Sequence, residues 1–230
     1  MKSRDWFAFL FIGLLAAFFL FPFTRSVYER GSRLFPEFLS FVKFFILATF
    51  GEMTGARIRT GKYIPSGFGL LPKAVVWGFL GVAISLAFTV FSGGVGLFPL
   101  FRDASGISMK ILRAFTVSLF MNLIFAPVMM LAHKVTDLHI SEQGGRFSLR
   151  NFRVAPLLAG LDWAQYWGFL MKKTIPFFWI PAHTITFLLP GEYRVLFAAF
   201  LSIFLGVFLG FGSRRVKNLR QEPSAAPSRC

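Results

Sequence analysis

Ala74 to Phe91 runs for eighteen residues without a charged side chain, and Trp6 to Phe23, Ala114 to Ala132 and Val195 to Gly212 are equally uncharged. Runs of that length match the roughly 20 apolar residues an α-helix needs to cross about 30 Å of hydrocarbon. Charged residues make up only 15% of the chain, against about 25% in soluble domains. That balance excludes a soluble globular enzyme. The 33 phenylalanines exclude a disordered chain, and the absence of charged heptads excludes a coiled coil. The fold class is therefore all-α, a polytopic helical membrane bundle.

Six helices are expected. Trp6 to Phe23 follows Lys2 and Arg4, and Phe21-Pro22-Phe23-Thr24 offers no small-residue cleavage site, so it reads as a retained helix. Phe38 to about Met53 is interrupted by Lys43 and Glu52, and snorkelling accounts for the lysine. Thr174 to Leu189 is short, and Leu161 to Lys173, with Trp163 and Trp167, extends it. Placing the basic tail in the cytoplasm puts fifteen Lys and Arg residues inside and five outside, with correct alternation from loop to loop. Both termini are then cytoplasmic. Three parts follow: an extra amino-terminal helix and loop over 1–37, a helical membrane domain over 38–212, and a basic, disordered tail over 213–230. The formal charge of +15 points to anionic lipid as the partner and away from nucleic acid. The only cysteine is Cys230, so no intramolecular disulfide forms. Between His133 and Asp162, residues Phe147, Phe152, Val154, Leu157 and Leu158 fit a short interfacial helix.

Polar groups inside these helices are the site candidates, because they are costly in hydrocarbon. Glu52 lies near a helix end with Arg57 and Arg59 close in sequence, as a local pair or in a polar lumen. Asn122 shares a face with Ser118 and either bonds a neighbouring helix or lines a watery path. Pro127 frees the Leu123 carbonyl and predicts a kink there. Pro176 and Pro181 disturb consecutive turns of the fifth helix, just before His183, Thr184 and Thr186. That cluster requires a polar partner, so Pro181 to Thr186 should face the bundle interior near Asn122 or Glu52. Arg194 opens the last helix as a loop cap or at a pore mouth. Gly206 with Gly210, and Gly81 with Ser85, have the spacing of close helix packing, within the bundle or in a homo-oligomer. His133, His139 and His183 do not fall at metal-ligand spacing, and no cofactor fingerprint is present.

Four segments in order carry a family resemblance. They are Gly51-Glu52, Trp77-Gly78-Phe79-Leu80, Asn122 with Phe125-Ala126-Pro127, and Pro181 to Pro190 followed by Gly191-Glu192-Tyr193-Arg194-Val195. Together, over roughly Lys43 to Gly212, they resemble the Mpv-seventeen and peroxisomal twenty-two-kilodalton membrane protein family. Pro190, Tyr193 and Arg194 keep its final spacing. The chain departs from the pattern at Ile180-Pro181 in place of Trp-Pro, at Thr186-Phe187 in place of Asn-Phe, at Met121-Asn122 in place of Asp-Gln, and at Ala87-Phe88-Thr89. The helix over Trp6 to Phe23 lies outside it. The resemblance implies a divergent bacterial member in the plasma (inner) membrane, a small-solute channel or facilitator with a role in membrane homeostasis. It places Glu52 in a polar lumen and Arg194 at a pore mouth, alongside Pro190 as a helix break. The alternative is a structural or adaptor protein whose polar residues only join helices. A lipid-directed enzyme is disfavoured, since His183 is the sole mid-membrane base.

Overall fold

The computed structural model describes residues 5–102 and 105–221, with side chains to residue 211. Every regular element among the described residues is helical. Helix α1 (Trp6–Leu20) ends where Phe21 turns extended, as a residue before proline must, and Pro22 starts α2 (Pro22–Leu34). The two meet at 85°. The expected straight helix to Phe23 is thus a shorter one, about 22 Å long, followed by a helix that caps the bundle. Phe11 stacks on Phe50, and Phe19 meets Tyr28 edge-on. These contacts lay α1 antiparallel to α3 (Pro36–Thr60).

Helices α4 (Leu70–Gly96) and α6 (Ile107–Glu142) follow, with the short α5 (Pro99–Arg102) between them. A 3₁₀ turn (Leu149–Asn151), α7 (Val154–Ala159) and α8 (Trp163–Gln165) then lead into a π-helical run, Tyr166–Trp179. That run passes without a break into α9 (Ile180–Leu188), and α10 (Gly191–Gln221) closes the bundle. Helices α3, α4, α6 and the Gly191–Phe211 part of α10 are each long and apolar enough to cross a membrane; α1 with α2 passes as a fifth, bent span. The fifth expected span, Thr174 to Leu189, is divided between the π-helical run and the nine-residue α9. Helix α10 continues past the expected boundary at residue 213, through helix-favouring Arg, Lys, Leu and Gln, before Pro223. The remaining tail residues 222–230, with Cys230, and the amino-terminal Lys2 and Arg4 lie outside the described residues.

Backbone contact sets the α3–α10 seam. A Cβ on Gly51 would lie 2.8 Å from Ile203 Cα and Ser202 O; one on Gly55 would lie 2.8 Å from Gly206 O, and one on Gly206 would strike Gly51 O. Gly210 fits against Ile58 at 3.0 Å. Gly81 packs α4 against Phe44 and Ser40 of α3, where a Cβ would stand 2.6 Å from each. Both small-residue pairs seen in the sequence therefore contribute to seams within one chain, and Gly51 and Gly55 complete the first. The core between the helices is aliphatic and aromatic, centred on Phe44, Leu47, Phe88, Met121, Phe187 and Leu196.

Of the four prolines expected to kink helices, three lie inside continuous helical runs and one follows a helix end. Pro127 sits inside the 36-residue α6 without ending it. Pro176 lies within the π-helical run, where i→i+5 bonding widens the turn. Pro181 falls where the π-helical run passes into α9, so the bond its N–H would make to the preceding turn is missing without interrupting the helix. Only Pro190 marks a real break, with Leu189 extended before it.

Candidate functional site: a polar cavity at one end of the bundle

Helices α3 and α10 start, and α4 finishes, at the same end of the bundle, which α2 covers. Here a cavity of about 400 Å³ is lined by Ser32, Arg33, Ser40, Lys43, Ser85, Phe88, Thr89, Ser92, Glu192 and Arg194, among others. Lys43 is seven residues beyond Pro36, so the lining reaches about 10 Å into the bundle. Its side chain is buried and reaches toward α2. Nζ lies 3.2 Å from Ser32 Oγ and 4.8 Å from the centre of the Tyr28 ring. No carboxylate stands within ion-pairing distance of Lys43 among the described residues.

Arg194 donates through Nε to Leu189 O at 3.0 Å and through Nη2 to Phe187 O at 3.2 Å. It caps the end of α9 and also lines the cavity. It too lacks a carboxylate partner among the described residues, and Arg113 adds a further positive charge nearby. Arg33 is paired with Glu192 at 2.8 Å. Ser85 donates to Glu37 Oε2 at 2.9 Å, while the Ser92 hydroxyl is buried without a partner. Tyr28 donates to Glu192 O at 2.7 Å and Tyr193 donates to Glu29, so the walls from α2 and α10 are tied together.

His183 and Asn122 meet, but not in this cavity. His183 Nδ1 lies 3.1 Å from Nδ2 and 3.2 Å from Oδ1 of Asn122. The Asn122 amide donates to Ser118 O at 2.8 Å, and Ser118 Oγ donates to Ile180 O at 2.7 Å. Asn122, Ser118 and Thr186 are wholly buried. His183 and Thr186 therefore face the interior, His183 beside Asn122, while Pro181 and Ile185 of the same segment are exposed, and the α6–α9 seam is closed around the buried pair. Thr184 and Thr186 spend their hydroxyls on Ile180 O and Ala182 O of their own helix. Phe88 stands between this group and the cavity, lining the latter and meeting the His183 ring edge-on at 5.7 Å.

Glu52 occupies a different place. Its partners are neither Arg57 nor Arg59, because it points across the bundle and not along its own helix. Lys73 Nζ lies 3.1 Å from Oε2, while Trp77 Nε1 donates to Oε1 at 3.0 Å and His133 Nε2 lies 3.1 Å from it. Lys73 also pairs with Asp137. This network joins α3, α4 and α6 nine residues, about 13 Å, beyond Lys43. Phe44 stacked on Trp77, and Trp77 against His133, fill the space between the two levels. Arg57 is held instead by Asp5 at 2.9 Å. In the loop beyond α3, burial and then the neighbouring Asp5 push the Tyr63 phenol above its ordinary pKa.

Lys43, Lys73, Trp77, His133 and Asp137 are site residues that sequence reasoning did not single out. Only Lys43 carried a signal, as a charge within an apolar run. Among the described residues no group of three or more His, Cys, Asp or Glu side chains is placed to hold a metal ion. No family model, curated protein or solved structure matches this chain.

Proposed function

We propose that this membrane protein is a facilitator for a small polar solute, which enters through the cavity beneath α2. One observation carries the reading. A void of about 400 Å³ lined by Ser, Lys, Arg and Glu side chains reaches into a bundle whose core is packed with Phe, Leu and Ala. Water takes about 30 Å³ a molecule, and ligand pockets begin at about 300 Å³, so the space suits a solute of a few heavy atoms with its water. In this reading the conformation is closed: Phe88 lines the cavity floor, Phe44 stacked on Trp77 fills the space below, and the Glu52 network joins the opposite level. The basic-residue bias assigns the cavity end to the outer face and both termini to the cytoplasm. The resemblance to the Mpv-seventeen family supports the same function, and it motivates the bacterial plasma membrane as the location.

Purified protein in liposomes should pass small polar solutes faster than protein-free vesicles. Thr89→Trp, which fills the cavity from an exposed position, should return the rate to background while helix content is unchanged. Vesicles that stay tight at high protein density would contradict the reading. The structural alternative has one observation of its own: the Asn122, Ser118 and His183 bonds join α6 to α9 with no void beside them. Both can hold at once, since helix glue and cavity occupy different seams.

A further inference from the structure

The cavity contains more than polarity. Its charges do not balance within the protein. Arg33 and Glu192 neutralise each other at 2.8 Å. Glu37 accepts from the Ser85 hydroxyl and does not itself line the cavity. Lys43 and Arg194 remain, both without a carboxylate at ion-pairing distance among the described residues; Arg194 feels the positive Arg113 as well as the negative Glu192, whose carboxylate is already held by Arg33. Two cations left unpaired in a half-sealed membrane cavity are costly unless a mobile anion joins them. Around them stand hydroxyls, which can donate as readily as accept. Ser32 already accepts from Lys43, and Ser92 Oγ is buried with its hydrogen-bonding capacity unspent. Guanidinium, ammonium and hydroxyl groups together form the usual recognition set for an oxyanion.

We infer that the cavity is a binding site for a small oxyanion, a phosphate or carboxylate group, held between Lys43 and Arg194 with Ser92 as a hydroxyl donor. This rests on the facilitator reading for the anion's onward passage but not for its binding. The competing cavity, between α1, α3 and α4, is lined by Phe7, Phe11, Phe45, Phe50, Leu70 and neighbours, and offers lipid contact only. The oxyanion has two sources, a free solute and the headgroup of an anionic lipid, because the cavity opens at the level where headgroups lie.

The full-length protein in phosphatidylcholine nanodiscs, titrated with inorganic phosphate and separately with succinate, separates these. Saturable binding is expected, weakened about ten- to a hundredfold by Lys43→Met and by Arg194→Gln, the loss of one charge-assisted contact each. Arg194→Lys should recover part of it, and Arg25→Gln on the exposed side of α2 should leave it unchanged. If neither solute binds but phosphatidylglycerol raises the melting temperature, and Lys43→Met abolishes that rise, the oxyanion is a headgroup. Lys43→Met carries no backbone cap and keeps the chain's packing, so its folding is not at risk as Arg194→Gln's is. Absence of saturable binding in every arm, or equal binding by wild type and Lys43→Met, overturns the inference. Anion binding without flux in liposomes removes the facilitator reading alone. Flux of a neutral solute with no anion binding removes this inference alone.

Discussion

Glu52 shows how much a single carboxylate can hold when it crosses a bundle. Removing its charge leaves Lys73 beside only Asp137, and it weakens the bonds from Trp77 and His133. Glu52→Gln is therefore expected to lower stability by about 1–3 kcal/mol. Lys73→Met should cost a similar amount, and the double variant less than the sum, as contacting residues in one network do. Thermal unfolding of the four proteins in one detergent checks this; strict additivity would show that the pair does not act together. Asn122 poses the opposite case. It is wholly buried between α6 and α9 and shut off from the cavity by Phe88. Asn122→Leu should cost about 0.6–2 kcal/mol and leave solute flux unchanged, whereas Phe88→Ala should raise flux. A large fall in flux on Asn122→Leu, with normal folding, would put the path through the α6–α9 seam instead.

Among the elements, the seam between α3 and α10 is the most exacting. Gly51, Gly55 and Gly206 bring backbones so close that any Cβ must displace main chain. Gly206→Val should reduce stability by at least the 1–3 kcal/mol typical of overpacking, with loss of monodisperse protein on size exclusion. Gly13, with nothing within 4 Å of where its Cβ would stand, serves as the control. Equal behaviour of Gly206→Val and Gly13→Ala would mean the seam is not as tight as described. Uncharged length was enough to place α4, α6 and α10, and small-residue spacing was enough to find Gly206 and Gly210. The polar demand of His183 was also enough to point to Asn122. Other features were illegible for physical reasons. Which way Lys43 turns depends on Ser32 and Tyr28 of another helix. The partners of Glu52 come from α4 and α6, at sequence separations no local pattern encodes. Two prolines in one short apolar run read as a disturbed helix, and no local pattern signals the π-helical run in which Pro176 is absorbed as a wider turn.

At the scale of the molecule, a cation-lined cavity proposed to open at the outer face of a multi-pass bundle requires water on one side of α4 and lipid on the other. Ser92 and Val90 lie on the same helix at nearly the same depth, yet Ser92 lines the cavity while Val90 is 66% exposed on the bundle's outside. A charged, membrane-impermeant thiol reagent needs water and a thiolate to react. With Cys230→Ser as background, Ser92→Cys in oriented vesicles should be labelled from the outer side, and Val90→Cys, facing hydrocarbon, should not be labelled at all. Labelling of Ser92→Cys only from the cytoplasmic side, or equal inertness at both positions, would contradict the account.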